Sequence, residues 1–488
     1  MSRQNVEAIF ALTAPQQGML FDTLRSPRSG VHIEQVIFDF KGAIDPDSFK
    51  EAWARTVGRH QTLRSGFVWQ QQDEPLQVVL RQVEVPLDQY DWRALGEQER
   101  RARMEMYLDE DRRRGFKLTK PPLMRLALFQ TGDEEFTFVW THHHILLDGW
   151  SLASVFKEFL NYYQALCEGR DLRLPDAPAY KDYVAWLKKQ DVQTAGEFWR
   201  DALRGVERPT PLGKEAESEQ DFEGGEIYAE ERATLPERLT SELRASAVRR
   251  QCTLSTLVYA AWALLLSRYS GDEDVLFGVT VAGRPAELPD IESAVGVYIN
   301  TLPARARVSP GATLGGFVER QREYHLRLRS FEFTTGAQIR ELSQVPGALP
   351  LYESLVVYEN YPVDIDAAQL DGLPFRINRV QIKGARTQYA LTLLASAGDE
   401  ISLRLIYDRR RFGGSDVRRA LKHLGEFLAA MADGRERTLA ELLEKVPEDE
   451  RPRVRPARAG GALPQDADFA PPRTPLEEIV AGIWTHLL

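Results

Sequence analysis

Thr141 to Trp150 reads THHHILLDGW, with three consecutive histidines and then, four and five residues after the last, Asp148 and Gly149. The stretch before it, EEFTFVWTHH (134–143), is rich in aromatic and β-branched residues and predicts a strand. The stretch after it, SLASVFKEFLNYYQALCEG (151–169), carries apolar residues at helical spacing, and Gly169 is a suitable stop. The histidines therefore sit on a strand–loop–helix junction, where side chains and backbone amides can converge on a ligand. Spacing alone leaves three readings open. Along a strand His142 and His144 share one face and His143 takes the other, so a single ion cannot use all three, even with Asp148 as a further ligand. No HExxH or CxxC accompanies them. A purely structural role, with ring nitrogens bonded to backbone, is the plainest alternative. The third reading is acid–base chemistry. An imidazole exchanges protons near neutrality, and Gly149 lets a backbone N–H approach a reacting carbonyl.

The flanking sequence alternates strands and helices. Gln35–Phe40 reads as a strand, and Asp45-Pro46 opens a helix to Arg59. Helices are expected at 236–250, 254–268, 314–330 and 415–432, and strands at 274–281, 352–358 and 401–407. The 488 residues exceed one ordinary core, and a proline-bearing loop (LRLPDAPAY) places a division near 175–190. Net charge is −10, which disfavours nucleic acid and anionic membrane as partners. The apolar run LVYAAWALLL (257–266) is too short to span a bilayer, and MSRQNVEAIFAL lacks signal-peptide character. Two distant cysteines, Cys167 and Cys252, make no disulfide or zinc framework. A cytoplasmic location is the expectation.

His143-His144-Ile-Leu-Leu-Asp148-Gly149 matches HHxxxDG, and its neighbours follow in order: LTAPQQGMLF (12–21), RHQTLRSGF (59–67), YKDYVAW (180–186), VGVYINTLPAR (295–305), SFEFTTGAQIRELS (330–343), YESLVVYENYP (352–362) and ARTQYALTL (385–393). This set resembles the condensation domains of nonribosomal peptide synthetases, in the chloramphenicol acetyltransferase-like superfamily, over about residues 7–445. The resemblance implies an α/β fold of two acetyltransferase-like lobes, forming a V-shaped pseudo-dimer with a central tunnel. The lobes are expected at 1–180 and 181–450. It implies an acyltransferase that forms a peptide bond: an acceptor amine on one peptidyl carrier protein attacks a donor acyl or peptidyl thioester on another. Phosphopantetheine then belongs to those carriers, with no cofactor and no metal bound to this chain. The expected form is a monomeric domain of a larger synthetase.

Carried over by position, His144 meets the attacking amine, as base or as positioner, and Gly149 offers a backbone N–H to the oxyanion. His143 and Asp148 support the site. Arg284, in AGRP (282–285), is the expected partner of Asp148, with Arg64 the alternative. The loop 285–297 resembles a tunnel floor, and Trp150, Asn300 and Thr301 are candidates to line it. His142 reads as a packed strand residue. Tyr389 and the basic QIKGAR stretch (381–386) read as a solvated loop. Intact histidines disfavour heterocyclisation and recruitment-type relatives, and Trp150-Ser151 after DG disfavours epimerisation. The QQGMLF and HHILLDGWS wording resembles domains with a D-configured donor. A catalytically silent docking module and an ester-forming domain are the competing functions. Residues 451–475 are proline- and glycine-rich and read as a linker. TPLEEIVAGIWTHLL resembles the first helix of a carrier protein, so 476–488 is expected to begin one.

Overall fold

The computed structural model describes residues 3–27, 29–70, 74–215, 227–359, 372–384 and 389–454. Two mixed sheets dominate. The first has five strands in the order Phe375–Lys383, Ile33–Gly42, Glu135–His143, Met124–Gln130, Leu87–Asp91. The second has six, ordered Asn300–Arg307, Asp274–Val281, Ser354–Glu359, Leu391–Ala397, Ile401–Asp408, Tyr228–Leu235. A three-stranded sheet of Val6–Ala11, Leu76–Leu80 and Ser65–Val68 lies in the first half.

Each large sheet has its own apolar core. In the first, the helix Gly149–Cys167 turns Val155, Phe156, Phe159 and Tyr163 inward at three- and four-residue spacing. They meet Phe49 and Trp53 of the helix Pro46–Arg59 and Phe38 and Phe138 of the sheet. Phe38 stacks on Phe156 at 4.1 Å between ring centroids, and Trp53 on Phe159 at 4.7 Å. Full burial of each such side chain contributes about 1.5–3 kcal/mol. The helix Pro46–Arg59 starts where the sequence sets it: the Asp45 carboxylate accepts from the Ser48 N–H, and Pro46 occupies the first turn. In the second half, Leu254–Ser270 is buried on most of its surface, with Ala260–Leu266 buried without a break, and it stops at Gly271 in the left-handed region (φ 82°). No helix among the described residues is long and apolar enough to cross a membrane.

The second half lends chain to the first. Phe375–Lys383, from the second half, is the edge strand of the first sheet and pairs antiparallel with Ile33–Gly42. Val295, Val297 and Phe375 belong to the first core. Residues 381–383 are thus the end of a strand and not a solvated loop, because their backbone groups pair with Gln35 to Ile37. Gly384 (φ 112°) continues close against Ile33, where a Cβ would lie 2.3 Å from its carbonyl oxygen. Of the QIKGAR stretch, Ala385 and Arg386 lie outside the described residues. Tyr389 stacks on Tyr352 at 5.5 Å. The first residues of the expected linker are also structured: Arg453–Val454 pairs in parallel with Lys214–Glu215, and Val454 is buried. The remainder of that linker and the carrier-like helix lie outside the described residues.

Candidate active site

The strand Glu135–His143 ends in a single 3-10 turn, His144–Leu146, and the helix Gly149–Cys167 follows. Asp148 is the N-cap of that helix and is fully buried. Its Oδ1 accepts from the Ser151 N–H at 2.8 Å. The same oxygen lies 3.2 Å from Arg284 Nη2, and Oδ2 accepts from the Tyr298 N–H at 3.0 Å. Arg284 also donates to the carbonyls of Ile291 and Ala294 and to Ser151 Oγ, and it lies over the Tyr298 ring at 4.3 Å. Two buried opposite charges are tolerable here because nearly every lone pair and N–H around them is used.

Asp148 and Ser151 thereby clamp the 285–298 segment of the second half onto the motif of the first. The Asp148 N–H and Ser151 hydroxyl donate to the Gly296 carbonyl, and the Gly296 N–H donates back to Ser151 Oγ. Trp150 Nε1 donates to Glu292 O, the Thr62 hydroxyl to Val295 O and the Tyr180 hydroxyl to Val297 O. Glycine is required at two points. A Cβ on Gly283 (φ 59°) would sit 1.9 Å from Tyr298 O, and one on Gly296 would sit 2.3 Å from the Tyr180 ring.

The three histidines have three environments. His143 is fully buried. Its Nδ1 accepts from the Ile145 N–H, so Nε2 carries the proton and donates to Thr23 Oγ1 at 3.0 Å, the threonine hydroxyl itself donating to Met19 O. Burial, with neighbouring imidazoles, holds its pKa well below the usual histidine range. His144 is partly exposed. Its Nδ1 lies 2.8 Å from the Leu147 carbonyl, which can only accept, so Nδ1 carries a proton and, in the neutral ring, Nε2 presents a lone pair. The His144 N–H donates to His32 O. His142 is fully buried against Trp140, at 5.0 Å between rings.

Gly149 is the first residue of the helix, and its N–H belongs to the turn whose donors a helix leaves without intrahelical partners. Arg64 lies apart from Asp148. It pairs with Glu7 at 2.6 Å and donates to the carbonyls of Leu80 and Arg81, tying its motif to the three-stranded sheet. Asn300 donates to Glu332 O and Thr334 O, and its Oδ1 accepts from the Thr301 N–H, so it holds the segment 332–335. Thr301 stands opposite Thr280 in the second sheet. Among the described residues no three His, Cys, Asp or Glu side chains converge as metal ligands.

Two neighbours were missed from the sequence. Gln16, fully buried, donates to Ile145 O and Gln77 Oε1 and caps its own helix, binding the QQGMLF segment to the histidine turn. Glu34 lies 3.3 Å from His142 Nε2. Its carboxyl is held well below the usual carboxylate range: burial opposes ionisation, but the positive charge of His144 and His142 in their protonated forms, with a hydrogen bond from His142, outweighs it.

The sequence profile of the Condensation domain family matches residues 6–451. A linear gramicidin synthase protein of Brevibacillus parabrevis is 38% identical over 461 residues, covering 92% of this chain and 9% of that protein. Chondramide synthase of Chondromyces crocatus is 34% identical over 483 residues, 90% of this chain and 12% of that protein. The chain thus spans a small fraction of the relatives it matches. The first condensation domain of the calcium-dependent antibiotic synthetase, solved with a substrate analogue, superposes with a TM-score of 0.72 at 22% identity, covering 89% of this chain and 99% of that one.

Proposed function

Because the chain belongs to the condensation-domain family, we propose that it joins an acceptor amine to a donor acyl or peptidyl group, both presented as thioesters on phosphopantetheine arms of carrier proteins. The observation that carries the reading is the committed tautomer of His144. With Nδ1 bonded to Leu147 O, Nε2 is free to take a proton from an ammonium or a zwitterionic adduct. The amine nitrogen bonds to the donor carbonyl carbon, the C–S bond breaks, and the carrier thiol leaves. The Gly149 N–H, at the positive end of its helix, supports the oxyanion formed on the way. Asp148 and Arg284 take no part in proton transfer; they hold the loop that sets His144 and Gly149 in place. The partners of this reading are two carrier proteins within or beside a larger synthetase.

The test is intact-mass analysis of an acceptor carrier mixed with an acyl-loaded donor carrier and the protein, with donors of both configurations. Wild type is expected to transfer the donor mass, and His144→Ala to reduce the rate about 100-fold or more while remaining folded. Carrier binding with no transfer by wild type would favour a silent docking module. Equal transfer by both proteins would remove His144 from the chemistry.

A further inference from the structure

Glu34 takes no part in the steps above. Its strand, Ile33–Gly42, pairs with Glu135–His143 in a register that sets Glu34 opposite His142, and such cross-strand partners share a face. The two side chains lie 3.3 Å apart, 14% and 0% exposed. Neither ring nitrogen of His142 makes a hydrogen bond of acceptable geometry among the described residues. His144 is fixed to the same strand pair, because its N–H donates to His32 O, two residues before Glu34. His144 and His142, when protonated, both favour the ionised Glu34 carboxylate. From the second sheet, Glu359 senses Glu34 as well: burial pushes its carboxyl up, Arg404 pulls it down, and Glu34 and Glu230 push it up. Glu34 therefore lies at the histidine end of the first sheet, within electrostatic reach of the second.

A carboxylate in this position is costly to keep charged without a cation. Neutral imidazoles do not supply one. If His144 is to accept a proton, it must begin neutral, and Glu34 then lacks that compensating charge. A cationic guest beside His144 restores the balance.

We propose that Glu34 is the counter-charge for a cationic acceptor: its carboxylate receives the acceptor's α-ammonium beside His144 and selects an amine acceptor over the corresponding α-hydroxy acceptor. This rests on the acyl-transfer reading above. An amine arrives as an ammonium and gains from the carboxylate, whereas a hydroxyl arrives neutral and gains nothing comparable. The residue is thus assigned to acceptor class, a discrimination in which His144 and Gly149 have no part.

The experiment compares an aminoacyl-loaded acceptor carrier with the same carrier loaded with the matching α-hydroxyacyl group, in the wild-type protein and in Glu34→Gln. For the amine acceptor, E34Q is expected to raise KM roughly tenfold to a hundredfold, with transfer to the hydroxyl acceptor, measured by intact mass, within about twofold of wild type. Equal losses on both acceptors would mean a purely structural Glu34 and overturn the proposal; so would an unchanged KM for the amine. Glu34→Asp keeps the charge but withdraws it by one methylene. It is expected to show the same selective loss at smaller size, and an equal loss on both acceptors again overturns the assignment. Wild type that transfers to neither acceptor would defeat the acyl-transfer reading itself, and with it the role given to Glu34.

Discussion

His143 and His144 are adjacent in sequence and opposite in chemistry. His143 is sealed in the core with both nitrogens used and its proton affinity depressed. Below the ordinary histidine pKa of ~6.5, the unfolded chain binds a proton that folded His143 refuses. Stability therefore falls as pH drops through that range toward the folded pKa, by up to ~1.4 kcal/mol per pH unit from this residue. His143→Gln keeps a donor and an acceptor but does not titrate. Urea unfolding at pH 7 and pH 5.5 is expected to show a shallower loss for the variant than for wild type. The buried pair Asp148–Arg284 gives a second prediction. Asp148→Ala strands a buried guanidinium and is expected to cost ~3–5 kcal/mol. Transfer activity should fall further than the loss of folded protein, measured by circular dichroism, explains, because Asp148 holds the loop that sets His144 and Gly149 in place. The double variant with Arg284→Met is expected to recover part of the stability and none of the activity, because the 285–298 loop has lost its clamp.

At the scale of elements, the strand–turn–helix carrying the motif was legible because each piece states its period locally. Glu135–His143 and Asp274–Val281 are dense in apolar and β-branched residues, and Asp45-Pro46 declares a helix start. The strand Phe375–Lys383 was not legible. FRINRVQIK is mostly polar, and what makes it a strand is a partner more than 300 residues away. Glu34 escaped notice for a related reason: its meaning lies in a register with His142 that no local pattern encodes. Of the candidate site residues, His143, His144, Asp148, Gly149, Trp150 and Arg284 gather around one loop, whereas Arg64 and Asn300 serve backbone elsewhere. The loop itself yields a test. Gly283→Ala places a methyl carbon against Tyr298 O in a backbone conformation that alanine resists. It is expected to lower stability by about 1–3 kcal/mol. Carrier-to-carrier transfer should fall further than that loss alone explains, as checked by comparing rates per folded molecule.

At the scale of the whole molecule, two sheets with separate cores are locked by two contributions of the second half to the first: a loop that closes its motif and a strand that edges its sheet. Residues 1–180 produced alone lack both. They are expected to be insoluble or to unfold without a sharp transition, whereas 1–180 and 181–454 produced together should copurify; size-exclusion chromatography of tagged halves checks this. The crossing strand also has a consequence for synthesis on the ribosome. Ile33–Gly42 emerges early, but the strand that covers its open edge follows roughly 330 residues later, which at ~5–20 residues per second is about 20–70 s. Throughout that interval the nascent chain carries an unpaired edge whose sequence, IEQVIFDFKG, is largely apolar. The first half must therefore wait, nearly complete, for the second to be made, and in a cell this interval is when a chaperone has an edge to hold.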